Sequence, residues 1–139
     1  MEVSKRRLKV SDKEAWGKLL SQLNSNKKPL GEIRDLTNNS AFYGLVLENN
    51  KEIVGFGSIS FFSSSFKGLT GVIEDIIVDK GYRGQGLGKE LMKSLLQEAN
   101  KRHAKLITLT SNPNRKKARA IYEKIGFELY DTGFFTKKL

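Results

Sequence analysis

A chain of 139 residues with 38% hydrophobic and 29% charged positions has the length and make-up of one globular domain, large enough to bury a core. It has no cysteine, which excludes disulfides, thiolate metal sites and a cysteine nucleophile, and no apolar run approaches the roughly 18 residues of a membrane span. Against 15 Asp and Glu stand 25 Lys and Arg, and the net charge of +10 points to an anionic partner, although the basic residues are dispersed and no nucleic-acid motif accompanies them.

The basic start, Met1 to Arg7, is not followed by the apolar stretch of a secretory signal, so a cytoplasmic location is expected. A short strand is predicted around Arg7 to Val10. Ser11 with Glu14 three residues later reads as a capping box, and Trp16, Leu19, Leu20 and Leu23 continue at helical spacing until Asn24-Ser25-Asn26. Pro29 and Gly31 flank a second short helix through Ile33 and Leu36. Phe42 to Leu47 and Glu52 to Phe62 read as an antiparallel pair, joined by Glu48-Asn49-Asn50-Lys51, whose asparagines tolerate left-handed backbone. Residues 63–68 read as a flexible connector. Leu69 to Asp79 is apolar on both faces, as a central strand is. From Gly86, the stripe Leu87, Leu91, Leu95, Ala99 predicts a long amphipathic helix to about His103. Leu106 to Thr110 follows as a strand, Arg115 to Ile125 as a helix, and Phe127 to Tyr130 with Gly133 to Lys138 as two closing strands. No repeat or linker interrupts residues 1–139, which read as a single α+β (mixed α/β) domain of roughly six or seven strands and about four helices.

The segment Val78-Asp79-Lys80-Gly81-Tyr82-Arg83-Gly84-Gln85-Gly86-Leu87-Gly88-Lys89 is a glycine-dense turn between a buried strand and a helix. Such a turn lets backbone amides and the helix N-terminus approach an anion. It is not a Walker A loop, because Gly88-Lys89 is followed by Glu90. Nor does it have the spacing of a dinucleotide fingerprint, since the glycines fall at 84, 86 and 88 with half the chain before them.

Arg83-Gly84-Gln85-Gly86-Leu87-Gly88 instead resembles the pyrophosphate loop of the GNAT acetyltransferases, Arg/Gln-x-x-Gly-x-Gly/Ala. Ile73-Glu74-Asp75-Ile76-Ile77-Val78 looks like that family's central strand. Ala118-Arg119-Ala120-Ile121-Tyr122-Glu123-Lys124-Ile125-Gly126-Phe127 resembles its Ala-x-x-x-Tyr-x-Lys-x-Gly-Phe segment, so the likeness covers residues 69 to 129. The resemblance implies acetyl-coenzyme A as cosubstrate, with its pyrophosphate on the amides of Arg83, Gly84, Gln85, Gly86, Leu87, Gly88 and Lys89. It implies that the backbone of Ile76, Ile77 and Val78 pairs with the pantetheine arm, in a V-shaped split between the strands at 69–79 and 106–110. It also implies an amine acceptor, and many members of the family are dimers.

Direct acetyl transfer needs a base for the acceptor's ammonium and an acid for the departing thiolate. Tyr122 matches the family's acid, although Ala118, Ile121, Tyr122 and Ile125 also form an apolar helix face where a tyrosine packs. Glu74 is the candidate base, directly or through water, with a structural ion pair as the rival; Asp75 falls on the opposite face by strand alternation unless a bulge intervenes. Many members carry a coenzyme-contacting Asn where Arg115 stands; the resemblance leaves Asn112 or Asn114 to replace it within Ser111-Asn112-Pro113-Asn114-Arg115, with Arg115 facing the coenzyme's phosphates. His103 reads as a cation at a helix end. No metal is expected. Phe61-Phe62 and Phe134-Phe135 read as core or dimer contacts rather than substrate walls. The central strand and Leu20-Ser21-Gln22-Leu23 resemble glucosamine-6-phosphate N-acetyltransferases, whereas the final Phe135-Thr136-Lys137-Lys138-Leu139 looks more like small-amine members. An acyl-CoA sensor without catalysis and a basic nucleic-acid-binding domain are the rival classes.

Overall fold

In the computed structural model, which describes residues 2–139, the first strand is β1 (Ser4–Arg7), and a 3-10 turn at Val10–Asp12 comes after it. The strand thus lies earlier than the sequence suggests, and Asp12 rather than Ser11 stands at the N-cap of the first α-helix. Asp12 Oδ2 accepts the Lys9 N–H at 2.9 Å, and its two oxygens accept from the Arg6 guanidinium at 2.8 and 2.9 Å. Arg6 Nε also donates to Glu48 Oε2 at 2.9 Å. A guanidinium fork on a carboxylate is charge-assisted at both ends, which a serine hydroxyl cannot match.

Burial opposes ionisation of Asp12 more than any other single influence. The bonds from Arg6 and Lys9 together still hold its carboxyl below the usual aspartate value. Stability from the pair is therefore complete above the unfolded aspartate value of about 4 and fades as pH falls through the folded one. Asp12→Asn should cost about 3 kcal/mol at neutral pH, the low end for breaking a buried pair, because Arg6 remains partly exposed. The deficit should shrink in urea titrations at progressively lower pH.

The chain divides into two compact units, Met1–Leu109 and Thr110–Leu139. In the first, α1 (Lys13–Ser21) buries Trp16 and Leu19, and α2 (Ile33–Asn38) buries Ile33. β2 (Phe42–Asn49) turns into β3 (Glu52–Ser64) through Asn50 and Lys51, at φ 49° and 67°, the double left-handed conformation of a tight hairpin. β3 pairs with β4 (Gly68–Val78) out to Ser64 opposite Gly68. The expected connector over 63–68 is thus reduced to a three-residue turn at 65–67, because its outer residues find backbone partners across the hairpin. α3 (Leu87–Lys101) leads to β5 (Leu106–Thr108).

The sheet order is β1-β2-β3-β4-β5, antiparallel except for the parallel β4–β5 pair that α3 connects, which is the expected crossover. Both α1 and α3 pack on β3 and β4. Trp16, Leu19 and Ile33 join Leu8, Phe42, Val46, Phe56 and Ile77 in one cluster, with the Trp16 and Phe56 rings edge to face at 6.1 Å. A Cβ on Gly57, the neighbour of Phe56, would sit 3.3 Å from Leu95 and 3.4 Å from Ile76, so α3 covers the opposite face. The stripe Leu91, Met92, Leu95 and Ala99 is buried there. Among the described residues no helix is long and apolar enough to cross a membrane.

In the second unit, α4 (Lys116–Lys124) ends at Gly126, φ 102°. The Phe127 N–H donates to Tyr122 O at 3.0 Å and the Gly126 N–H to Glu123 O at 3.1 Å, the paired bonds of a Schellman ending. The predicted strands at Phe127–Tyr130 and Gly133–Lys138 do not form, so the sheet has five strands rather than six or seven. Alternating side chains favour a strand, but only a partner satisfies its backbone; the one backbone hydrogen bond within this stretch is the local Thr132 N–H to Tyr130 O. Phe134 and Phe135 are 78% and 94% exposed and so belong to no core, whereas Phe61 is buried beneath the Arg102 guanidinium at 4.4 Å.

Candidate functional site

The parallel pairing of β4 with β5 lasts from Thr70 opposite Leu106 to Val72 opposite Thr108, where β5 ends, two residues short of the expected Thr110. β4 runs on through Ile73–Val78 with its β5-side edge unpaired among the described residues, which is the opening expected beside this strand. The Asp79 N–H donates to Val54 O of β3 at 2.8 Å. Alternation then turns the N–H and C=O of Val78 toward the open edge. Ile77 stands opposite Phe56 with its side chain in the core, and Ile76 packs toward α3.

Past the strand, Asp79 caps a 3-10 turn (Lys80–Tyr82), its Oδ2 accepting the Gly81 N–H at 2.9 Å. Arg83 Nε donates back to Val78 O at 3.0 Å. Gly84 and Gly86 both lie at φ 80°, a left-handed conformation that side chains resist, and a Cβ at either would meet nothing within 4 Å. The glycines therefore serve the backbone shape and keep its outer surface clear. Gln85 lies between them. Gly86 is the N-cap of α3, so the amides of Leu87, Gly88 and Lys89 have no acceptor within the helix and lie at the positive end of its dipole. An open glycine turn, an unsatisfied helix N-terminus and a free strand edge fit a phosphate joined to an extended polar arm.

Glu74 borders a bulge formed by Asp75 and Ile76. Glu74 stands opposite Ser58 and Ile77 opposite Phe56, so Asp75 and Ile76 share the place across from Gly57, and Asp75 takes φ 57°. Simple alternation, which would send the two carboxylates to opposite faces, fails at this step. Glu74 and Asp75 are both exposed by surface area, yet the atoms crowded around each carboxyl partly desolvate it; this, and for Glu74 the Asp75 charge next, raise both above their usual values. The buried Ser58 hydroxyl donates to Glu74 O at 3.2 Å and secures the bulge to β3. Glu74 forms no ion pair among the described residues.

In the second unit, Asn112 Oδ1 accepts the Asn114 N–H at 2.9 Å and Asn112 O the Arg115 N–H at 3.0 Å, a turn that leads into α4 with Arg115 as its N-cap. Asn112 is thus engaged in shaping the turn. Tyr122 lies in the last turn of α4, its ring edge to face with Phe127 at 6.2 Å. That contact accompanies the helix ending: Gly126 reverses the chain, and Phe127 falls back on Tyr122. Likewise His103, φ 61°, takes the left-handed place that ends α3, with bonds from His103 N–H to Asn100 O and from Ala104 N–H to Ala99 O, both at 3.0 Å.

Two residues with a part in this architecture were assigned no role from the sequence. Ser58 is one; Gln22, hydrogen-bonded to both Asp79 and Lys80, is the other. Only its place inside Val54–Ile59, a run buried throughout, could have marked Ser58, as a hydroxyl among apolar residues and glycines.

A family model described as "Acetyltransferase (GNAT) family" matches residues 10–127. An uncharacterized N-acetyltransferase of Bacillus subtilis is 35% identical over 92 residues, 65% of this chain and 60% of the relative. A glucosamine 6-phosphate N-acetyltransferase of Trypanosoma brucei brucei is 35% identical over 81 residues, 57% of this chain and 53% of the relative. The chain thus spans between half and two thirds of the length of these curated relatives. A crystal structure of a Trypanosoma brucei acetyltransferase superposes with a TM-score of 0.83 at 27% identity, covering 99% of this chain and all of that one.

Proposed function

The chain belongs to the GNAT acetyltransferase family, and from that premise we propose that it moves an acetyl group from acetyl-coenzyme A directly to the primary amine of a small acceptor. The observation that carries this reading is the open turn at Gly84 and Gly86, set between the free edge of β4 and the N-terminus of α3. Amides from Arg83 to Lys89 hold the pyrophosphate, and the outward N–H of Val78, whose carbonyl Arg83 Nε engages, takes a pantetheine carbonyl with Ile76 and Ile77 flanking; the family resemblance adds Asn114 and Arg115 to the coenzyme's contacts.

Acetyl-coenzyme A supplies the activated thioester. Glu74, or water that it orders, removes a proton from the acceptor's ammonium so that the nitrogen carries a free pair. The new N–C bond forms as the C–S bond breaks, Tyr122 Oη delivers a proton to the departing sulfur, and the acylated nitrogen loses its second proton. One proton leaves overall. A carboxyl raised by partial desolvation is better matched to an ammonium than an ordinary glutamate would be. A second reading names the acceptor as glucosamine 6-phosphate, favoured by the Trypanosoma relative that bears this name and by Ile73-Glu74-Asp75-Ile76.

Calorimetry with acetyl-coenzyme A and a free-thiol release assay across primary amines, glucosamine 6-phosphate included, test the proposal. Binding with thiol release for one amine supports it; absence of binding sinks it. Within that assay the acidic limb of kcat/KM should lie above the ordinary glutamate range. Asp75→Asn should move the limb down by removing the neighbouring charge, and Glu74→Gln should abolish it. An unmoved limb in both variants would remove Glu74 from the base role.

A further inference from the structure

Two segments distant in the chain meet at the head of the glycine turn. Gln22, the residue that closes α1, turns its amide on the first residues after β4. Its Nε2 donates to Asp79 Oδ1 at 2.7 Å, and its Oε1 accepts the Lys80 N–H at 2.9 Å. Asp79 is held from two further sides, by the Gly81 N–H on Oδ2 and by its own N–H on Val54 O. A planar amide presents one donor and one acceptor side by side, so it satisfies both partners only when the Asp79 carboxylate and the Lys80 N–H are themselves side by side. A cavity of about 310 Å³, lined by Ala15, Lys18, Leu19 and Ile53 among others, lies beside the contact. Gln22 itself is exposed, so hydrogen bonds rather than packing hold it to the turn.

We infer that Gln22 is a positioning residue for the anion cradle: by fixing Asp79 and Lys80 it sets how Arg83 to Gly86 present their amides. It also ties that geometry to the end of α1, and so to the stretch that leads into α2. The inference rests on the assignment of the cradle to coenzyme A.

Gln22→Met keeps the length of the side chain and removes both hydrogen-bonding groups. Two exposed bonds of ordinary strength predict a rise of about 5- to 20-fold in the calorimetric Kd for acetyl-coenzyme A. KM for acetyl-coenzyme A should rise in step while kcat at saturation stays within about twofold, because the loss lies in presenting the cradle and not in the chemistry. Amide hydrogen exchange at Gly81, Gly84 and Gly86 should quicken without ligand. Gln22→Glu sets a second carboxylate against Asp79 and should bind more weakly still. Adding Asp79→Asn to it restores a matching donor and should recover most of the affinity, which a merely structural role would not predict. Unchanged Kd and exchange in Gln22→Met would overturn the inference, as would failure of the double variant to recover. Were the wild type to bind no acetyl-coenzyme A, the coenzyme assignment would fall, and the exchange comparison would still decide whether Gln22 holds the turn.

Discussion

Tyr122→Phe is expected to lower kcat by about 10²- to 10⁴-fold, the range for losing a positioned general acid, with KM for acetyl-coenzyme A nearly unchanged. The substitution separates the two roles open to this side chain. A phenylalanine ring keeps the edge-to-face contact with Phe127 at 6.2 Å, and the bond from the Phe127 N–H goes to the backbone carbonyl of residue 122, which the change leaves in place. A tyrosine that only packs the end of α4 would therefore tolerate the change with kcat close to wild type. A tyrosine that protonates the leaving sulfur loses the proton it delivers, and the loss falls on the chemical step alone. Single-turnover rates on matched, folded samples make the comparison; a kcat within about threefold of wild type would return Tyr122 to packing.

The second large effect is expected at Gly86. This residue combines φ 80° with the N-cap of α3, so Gly86→Val places a β-branched side chain in a left-handed conformation, at about 1–3 kcal/mol of strain. Nothing lies within 4 Å of the added Cβ, so the strain is the whole of the folded-state penalty and the protein should still fold with a lower Tm. The methyl groups, however, would stand on the surface that the glycines keep clear. Loss of close approach for a pyrophosphate, added to a distorted helix start, should weaken acetyl-coenzyme A by about 10²-fold or more by calorimetry. Undiminished binding in the folded variant would mean that the coenzyme's phosphates lie elsewhere.

Local chemistry was legible in the sequence, and long-range pairing was less so. The run Tyr122-x-Lys124-x-Gly126-Phe127 is written in one helix ending, where each residue has its place within a single turn. The stripe on α3 survives for the same reason, since Leu91, Leu95 and Ala99 need only an apolar face to meet. By contrast, the segments at Phe127–Tyr130 and Gly133–Lys138 have strand-like alternation, but a strand is a property of two segments, and the pattern in one cannot supply the other. Ser11 falls inside the 3-10 turn, and the Asp12 side chain, held by Arg6 on the preceding strand and by the Lys9 N–H, leaves the α-helix that follows without a side-chain cap. The bulge at Asp75 was foreseen only as an exception to alternation. Gln22 stood out only as part of Leu20-Ser21-Gln22-Leu23, and its role was hidden because its partner lies 57 positions further on.

The end of β5 at Thr108 also bears on how the chain behaves in a crowded cell. Beyond Val72, the outward backbone groups of Ile73–Val78 have no neighbouring strand, apart from the Val78 carbonyl that Arg83 Nε engages, and such an edge is the template by which sheets recruit other chains into aggregates. A ligand arm lying along that edge fills the template as well as the site. Under the proposed function, supply of the coenzyme and resistance to aggregation would be linked, since a ligand at 100 times its Kd adds about 2.7 kcal/mol to the folded state. On that reading, a cell starved of the activated acyl group would hold a less stable protein as well as an idle one.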